Sequence, residues 1–312
     1  MHGRFLASNC MGAGQTSQLQ SSMSAGSYSF ASFQALSTPK HVPANVIIDR
    51  IKGALFGLLI ADALAMPTHW FYGGERQVKG TYGTIVGYVK PTIKLPGSIM
   101  SKSNTGGGGR GSYRGNIVGD VIFHGKKKYW APGADYHYHT GMNAGDNTLE
   151  ALLVRRVCNI TAANGGQFAP NKILEDYVQF LTTPDTHNDV YCGTSHRMFF
   201  ANMKSGKPLQ ECPDNDGHNV DSADSIVTSI PVALISNSDE QAMKDAADMV
   251  MLTRNSRTSA AHAALFASTL RSVVLGSTVR EATVAAGKEL GYDVKRVVDA
   301  DGNRLGTNPV HA

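Results

Sequence analysis

Apolar residues recur every three to four positions over most of the chain, which is typical of helices that bury one face. This period predicts helices over 44–66, 147–161, 191–203, 222–235, 240–252, 259–275 and 278–290, and one more that begins at Pro170. In the last of these, the inward residues are expected to be Ile173, Leu174, Tyr177, Val178 and Leu181. Almost no segment alternates as a strand would, so the pattern predicts an all-α fold with short loops between neighbouring helices.

Residues 71–140 lack this period and are rich in glycine and tyrosine. Their run Gly-Gly-Gly-Gly-Arg-Gly at 106–111 must turn or flex. It lacks the Lys-Ser/Thr ending of a phosphate-binding loop. We interpret the segment as a long Gly-rich insertion after the first helix, lying at the surface.

The first predicted helix carries Asp62 within an apolar run over 53–67. The run is shorter than the roughly 20 residues of a membrane helix, and a charge within it is costly to bury without compensation. Small residues at helical spacing allow close packing, and Pro67 ends the helix. We therefore expect a buried helix that brings Asp62, His69 and Trp70 to one place, either a functional site or a polar structural cluster.

The composition of the chain argues against several classes of protein. A net charge of +4 is too small to indicate a nucleic-acid partner, and no apolar segment is typical of a membrane anchor or a secretory leader. The four cysteines are widely spaced without a C-x-x-C pair, so neither a zinc site nor a disulfide framework is indicated. A reducing compartment fits this usage best.

The N-terminal segment differs from the rest, because the first 48 residues contain nine serines and no Asp or Glu. We expect residues 1–44 to be disordered and the protein to be cytoplasmic, with a mitochondrial or plastid transit peptide as the alternative. Residues 45–290 form the predicted helical domain. Residues 291–312 are interpreted as an irregular tail of a truncated chain.

A polar cluster, Asn-Ala-Gly-Asp-Asn-Thr, occupies residues 143–148 at the start of a predicted helix. Asp146 and Asn147 are favoured helix caps, which is one interpretation of the cluster. The other is a site for a hard cation such as Mg²⁺, because Asp146, Asn147 and Thr148 offer three side-chain oxygens within one turn.

A second cluster, at residues 182–191, links two predicted helices. Pro184 and its polar neighbours explain a turn without any function. However, His187, Asn188 and Asp189 exceed what a turn needs, and binding groups concentrate on loops held by rigid helices. We therefore expect these three residues to line a binding cleft.

Two further groups have simpler interpretations. Asp221 is a candidate helix cap, and Asp224 lies one turn further on the same face. His137 and His139 share a face only in an extended segment, and we interpret them as ordinary polar surface.

Together these clusters resemble the ADP-ribosylglycohydrolase family over roughly residues 45–285, and most closely its branch with the J-class lens crystallins. The first helix, from Gly53 to Leu64 with Pro67, is similar to the opening helix of the family. Residues 144–148 resemble its Thr-Asp-Asp-Thr metal motif, and residues 182–200 resemble a stretch particular to that branch.

The resemblance implies a compact orthogonal bundle of helices around a cleft that holds one or two Mg²⁺ ions. It implies hydrolysis of the glycosidic bond between ADP-ribose and a protein side chain or small-molecule acceptor, with neither nucleic acid nor membrane as partner. The implied catalytic residues are His69 and Asp146, and the implied metal ligands are Asp146, Asn147 and Thr148. The implied substrate-binding residues are Asp62, His187, Asn188 and Asp189.

The chain departs from the family pattern at several positions. Ala61 replaces a glycine, His69 stands at a glutamate position, and Gly145 and Asn147 replace metal-binding residues. No late acidic motif follows Leu290. These departures leave open a non-catalytic relative that binds ADP-ribose or serves structurally, as lens crystallins do. A two-metal phosphoesterase is a weaker alternative, since few carboxylates are available.

Overall fold

The computed structural model describes residues 42–291, so the predictions for the N-terminal segment and the C-terminal tail lie outside the described residues. The α-helices are α1 (Ala44–Ala65), α2 (Gly74–Tyr82), α3 (Leu149–Ala163), α4 (Pro170–Thr182), α5 (Thr194–Lys204), α6 (Asp224–Val227), α7 (Ile230–Ile235), α8 (Asp239–Met251), α9 (Arg257–Val274) and α10 (Val279–Glu289). Short 3₁₀ turns cover Met66–Thr68, Met100–Lys102, Lys127–Trp130 and Leu209–Glu211. Within 42–291, β structure is limited to isolated bridges, which confirms the all-α prediction.

Local sequence explains several helix ends. Pro170 begins α4, where its missing N–H costs nothing. Thr278 and Glu281 form a capping box at the start of α10. The single helix predicted over 222–235 is two helices, α6 and α7, because Pro231 cannot donate a hydrogen bond to the preceding turn.

The main hydrophobic core joins α3, α4 and α5 to the irregular segment between α2 and α3. Its largest fully buried side chains include Tyr138, Phe123, Phe199, Phe200, Leu174 and Leu181. A second core, rich in alanine, lies between α7, α8 and α9, where small side chains allow the helices to pack closely. Within the described part of the chain, no helix has the length and apolar character needed to span a bilayer.

The prediction of a buried first helix is wrong for the residues described. Only Ala63 of α1 is fully buried, although the helix contacts α3, α7 and α9. Its side chains Ile48, Phe56, Ile60 and Leu64 are 52%, 63%, 47% and 39% exposed. Apolar composition indicated burial, but one face of the helix has no covering element within 42–291.

The segment that follows α1 holds more structure than its sequence predicted. Helix α2 was missed because it is short and buries none of its residues fully. Leu95, Met100 and Ile117 from the same segment lie in the main core, while part of the glycine run is exposed. A Cβ atom on Gly107 would lie 2.1 Å from the Ala201 Cβ, so glycine is required where this loop crosses α5. That the segment is an insertion stays a prediction.

Replacement of two leucines tests this distribution of core and surface. We expect Leu174→Ala to lower the free energy of unfolding by about 2–5 kcal/mol, because Leu174 is 2% exposed and the substitution leaves a cavity. Leu64→Ala is the matched control on α1 and should cost less than about 1 kcal/mol. Urea denaturation measures both. An equally large loss for Leu64→Ala would mean that this face of α1 is covered in the whole protein.

Candidate active site

The N-terminus of α3 is where distant polar groups meet. The Asp62 carboxylate of α1 accepts hydrogen bonds from the Thr148 backbone N (2.8 Å), Thr148 Oγ1 (2.6 Å) and Asn147 Nδ2 (3.0 Å). Asn147 Nδ2 also donates to the carbonyl oxygen of Leu59 (2.7 Å). Asp62 thus joins the end of α1 to the residues that begin α3.

Burial and hydrogen bonding act on Asp62 in opposite directions. Loss of hydration raises the pKa of this carboxyl, and the bonds from Thr148 and Asn147 partly offset that rise. The free backbone N–H groups and the positive end of the α3 dipole favour a carboxylate at this position. The position of Asp62 is therefore explained by helix capping as well as by any contact with a ligand.

A second carboxylate, from a residue that follows α3 in the chain, caps the same helix. Asp189 is 2% exposed, and its Oδ2 accepts from the Leu149 backbone N (2.9 Å). Its Oδ1 accepts from the backbone N of Val190 (2.8 Å) and of Tyr191 (3.2 Å). Burial works to raise the pKa of Asp189, but His139 and these backbone donors hold it at about 2. The carboxyl is therefore ionised near neutral pH.

A row of two histidines extends from Asp189. His139 Nδ1 lies 2.8 Å from Asp189 Oδ1, and His139 Nε2 lies 2.6 Å from His69 Nδ1. The planes of the two imidazole rings are inclined by only 20°, and their centroids lie 4.8 Å apart, as expected for rings that meet edge to edge through these nitrogens. Burial, together with the nearby His139, lowers the pKa of His69 to about 3. His69 directly follows the 3₁₀ turn that ends α1, so the stop signal at Pro67 positions it.

Aromatic side chains surround His69. The ring centroids of Trp70, Tyr138 and Tyr191 lie 4.8, 5.3 and 5.8 Å from that of His69. Trp70 has a positive φ of 55°, which is unusual for a bulky residue and marks a strained backbone beside the row of histidines. These rings cover part of His69, which is half-buried.

The interpretation of His137 and His139 as polar surface is wrong. Both are fully buried, at 0% and 3% exposure. His137 Nε2 lies 3.0 Å from the Pro67 carbonyl oxygen, and its Nδ1 accepts from the His139 backbone N. These bonds satisfy the His137 ring, and the contacts with Asp189 and His69 satisfy the His139 ring, so both are accommodated inside the core in a way that the sequence pattern did not indicate.

The cap interpretation of the 143–148 cluster fits neither Asp146 nor Asn147. The residue at the cap position of α3 is Thr148, and Asp146 lies two residues earlier, half-buried. Asp146 Oδ2 accepts from the Asn143 backbone N (2.8 Å) and closes a local turn. The side chain of Asn147 is turned towards α1.

The same cluster is also the candidate metal site. Among residues 42–291, no group of three or more His, Cys, Asp or Glu side chains is arranged to hold a metal ion. Asp146 Oδ1 and Asn147 Oδ1 accept no hydrogen bond from another described residue, and Thr148 Oγ1 uses its proton towards Asp62. Oxygens of this kind are the ligands that a hard cation prefers.

The other two residues of the 182–191 loop have different environments. His187 packs against Phe123 (4.6 Å between centroids) and Phe180 (5.8 Å), and burial lowers its pKa. Its Nδ1 is buried without a hydrogen-bond partner among the described residues. Asn188 is exposed. The Asn188 side chain has no described hydrogen bond to the group around α3, and His187 is linked to that group through Asp189.

The cap prediction for Asp221 is also wrong, since α6 begins at Asp224 without a side-chain cap. Asp224 instead accepts two hydrogen bonds from buried Arg254, of 2.9 and 2.8 Å, and Asp221 accepts from Ser256 Oγ. These carboxylates tie α6 to the chain around α9 rather than to each other.

Residues 43–308 match the family profile described as ADP-ribosylglycohydrolase, which is most of the chain. The chain belongs to the ADP-ribosylglycohydrolase family. Neither the curated proteins nor the solved structures include a match to it. Members of this ADP-ribosylglycohydrolase family act on ADP-ribosylated substrates and generally depend on metal ions.

Family membership agrees with the expected activity class, and the site adds one residue that sequence reasoning missed. His139 lies at the centre of the row from Asp189 to His69, although its motif gave no sign of burial. The sequence signal that was present is the spacing of His137 and His139, which is compatible with two imidazoles in one extended segment.

Asp62→Asn tests the joint between α1 and α3. We expect the substitution to lower the free energy of unfolding by about 1–3 kcal/mol, because an amide N–H₂ would face the donors of Thr148 and Asn147. Asp49→Asn is the matched control, since Asp49 is an exposed carboxylate on the same helix. Chemical denaturation measures both, and equal effects would contradict the capping role of Asp62.

The pH dependence of stability tests Asp189. Its pKa falls from 3.8 in the unfolded chain to about 2 in the folded protein. It therefore stabilises the fold above about pH 4, and this contribution of about 2 kcal/mol is lost as the pH falls from 4 to 2. Between pH 4 and 2, the free energy of unfolding from denaturation curves should change less with pH for Asp189→Asn than for the wild type. Carbon NMR of the Asp189 carboxyl gives a second measurement, and a pKa near 4 there would contradict the prediction.

Proposed function

We propose that this protein hydrolyses the glycosidic bond between ADP-ribose and a protein side chain or a related small acceptor. Family membership supports the activity class. The observation that carries the proposal is that Asp62 and Asp189 both accept hydrogen bonds from the N-terminus of α3, while His139 and His69 form a row that extends from Asp189. The acceptor and the metal ion are inferred from chemistry.

The pyrophosphate of ADP-ribose fits the α3 end of this site. It is anionic, and a helix N-terminus favours negative charge. The oxygens of Asp146, Asn147 and Thr148 are suited to hold one Mg²⁺ ion beside it. A metal ion bound there would neutralise phosphate charge and make a bound water more acidic. Because both oxygens of Asp62 accept bonds from Asn147 and Thr148, we assign Asp62 to orienting these ligands.

His69 is suited to act on water rather than on phosphate. Glycosidic cleavage passes through an oxocarbenium-like transition state at the ribose C1, and a base that removes a proton from the attacking water assists it. The His69 ring is neutral at physiological pH and half-buried among aromatic rings. Asn188 and His187 remain predicted residues of the substrate cleft, with the exposed Asn188 amide the better placed to meet a ligand.

Release of ADP-ribose tests the proposal directly. The protein is incubated with peptides ADP-ribosylated on arginine or on serine, with Mg²⁺ or with EDTA. We expect Mg²⁺-dependent release, and Asp146→Ala should lower it by about 100-fold or more, since even outer-shell partners of metal ligands contribute about 10–100-fold. Asp248→Ala on α8 is the control, because this half-buried carboxylate pairs with Lys244 outside the site.

Three other results would contradict the proposal in different ways. Binding of ADP-ribose in calorimetry without release would support a non-catalytic relative. Release of phosphate in place of ADP-ribose would indicate a phosphoesterase. Release that is unaffected by EDTA and by Asp146→Ala would remove the metal ion and Asp146 from the mechanism.

A further inference from the structure

We propose that His69, His139 and Asp189 form a proton relay. A proton taken from water at His69 Nε2 is balanced by transfer of the His69 Nδ1 proton to His139 Nε2. The role of the relay in hydrolysis rests on the proposed function, but its proton positions follow from the geometry of the three side chains.

Asp189 fixes the first proton of the relay. An ionised carboxylate only accepts hydrogen bonds, and the two Asp189 oxygens already accept from three backbone N–H groups. His139 Nδ1, at 2.8 Å from Asp189 Oδ1, must therefore carry a hydrogen. This holds whether the His139 ring is neutral or charged.

The direction of the hydrogen bond between His139 Nε2 and His69 Nδ1 then depends on the charge of His139. When His139 is neutral, its Nε2 has a lone pair, and the 2.6 Å contact requires a hydrogen on His69 Nδ1. The lone pair of His69 is then at Nε2, in the form of a base. When His139 is protonated, it donates to His69 Nδ1, and the hydrogen of neutral His69 lies at Nε2.

These two states are the beginning and the end of one transfer. The water O–H bond breaks as His69 Nε2 takes the proton, and the hydroxide oxygen forms the bond to the ribose C1 while the glycosidic bond breaks. The electron pair of the glycosidic bond leaves with the acceptor, which takes a proton from solvent, and His139 later returns its proton to solvent through His69. His69 passes its Nδ1 proton to His139 Nε2, so His69 ends neutral and the positive charge resides on His139 beside Asp189.

The relay explains how a poorly basic ring can act as a base. An imidazolium on His69 would be buried among aromatic rings, whereas on His139 it lies 2.8 Å from the Asp189 carboxylate. Of the other nearby groups, His137 lowers the pKa of His69 and Asp224 raises it. His139 also lowers the pKa of Asp62.

Nitrogen NMR of the full-length protein, labelled in histidine, tests the relay without substrate. At neutral pH we expect hydrogen on His69 Nδ1 and none on Nε2. As the pH falls, the added proton should appear on His139, and His69 should stay neutral while its hydrogen moves to Nε2. Formation of an imidazolium on His69 itself, or hydrogen on His69 Nε2 throughout, would overturn the proposal.

Two substitutions of His139 separate positioning from proton transfer. In His139→Gln the amide N–H can donate to Asp189, and the amide oxygen can accept from His69 Nδ1, but no proton can be taken up. We expect this variant to keep the His69 tautomer and KM while kcat falls by about 100-fold or more. His139→Leu should lose the fixed tautomer as well, and thermal melting checks that both variants fold.

Full kcat in His139→Gln would overturn the relay. If the wild type releases no ADP-ribose, the hydrolase proposal fails while the tautomer measurement still decides the relay. If release occurs but the tautomers of His69 do not respond to the charge on His139, the relay fails and the hydrolase proposal stands.

Discussion

Two carboxylates that are far apart in sequence accept hydrogen bonds from the first free backbone N–H groups of α3. The rest of the site depends on this double cap. Asp62 binds Thr148 from the end of α1, and Asp189 binds Leu149 from the loop between α4 and α5. Asp62 and Asp189 each also bind a further side chain of the site. Asp62 orients Asn147 and Thr148, and Asp189 holds His139. The helix end therefore fixes both Asn147 and the row of histidines with one set of backbone donors.

The cost of burying charge is met differently at the two carboxylates. Asp62 keeps a raised pKa because burial outweighs its hydrogen bonds, whereas the donors around Asp189 outweigh its burial. The two carboxylates therefore have different roles in the site. Asp189 is a permanent anion that can support a positive charge on His139, and Asp62 acts mainly through the geometry it imposes on its partners.

Most of the helices were predictable because their apolar period reflects the same burial that the structure contains. Helix α4 begins at Pro170, and its inward residues Ile173, Leu174, Tyr177 and Leu181 are buried as expected. The charge of Asp62 in an apolar run indicated a polar junction, and the family resemblance gave the class of chemistry. Periodicity could not reveal the burial of His137 and His139, since this depends on partners about 70 and 50 residues away. The apolar composition of α1 also overestimated its burial, because composition says nothing about whether a covering element is present.

The positions of the two tryptophans have a spectroscopic consequence. Trp70 and Trp130 are the only tryptophans in the chain, and their rings lie 5.2 and 6.1 Å from that of Tyr191. Trp70 also adjoins His69. The intrinsic indole emission of the whole protein therefore originates beside the candidate site. Binding and protonation events there are open to optical measurement without an attached label.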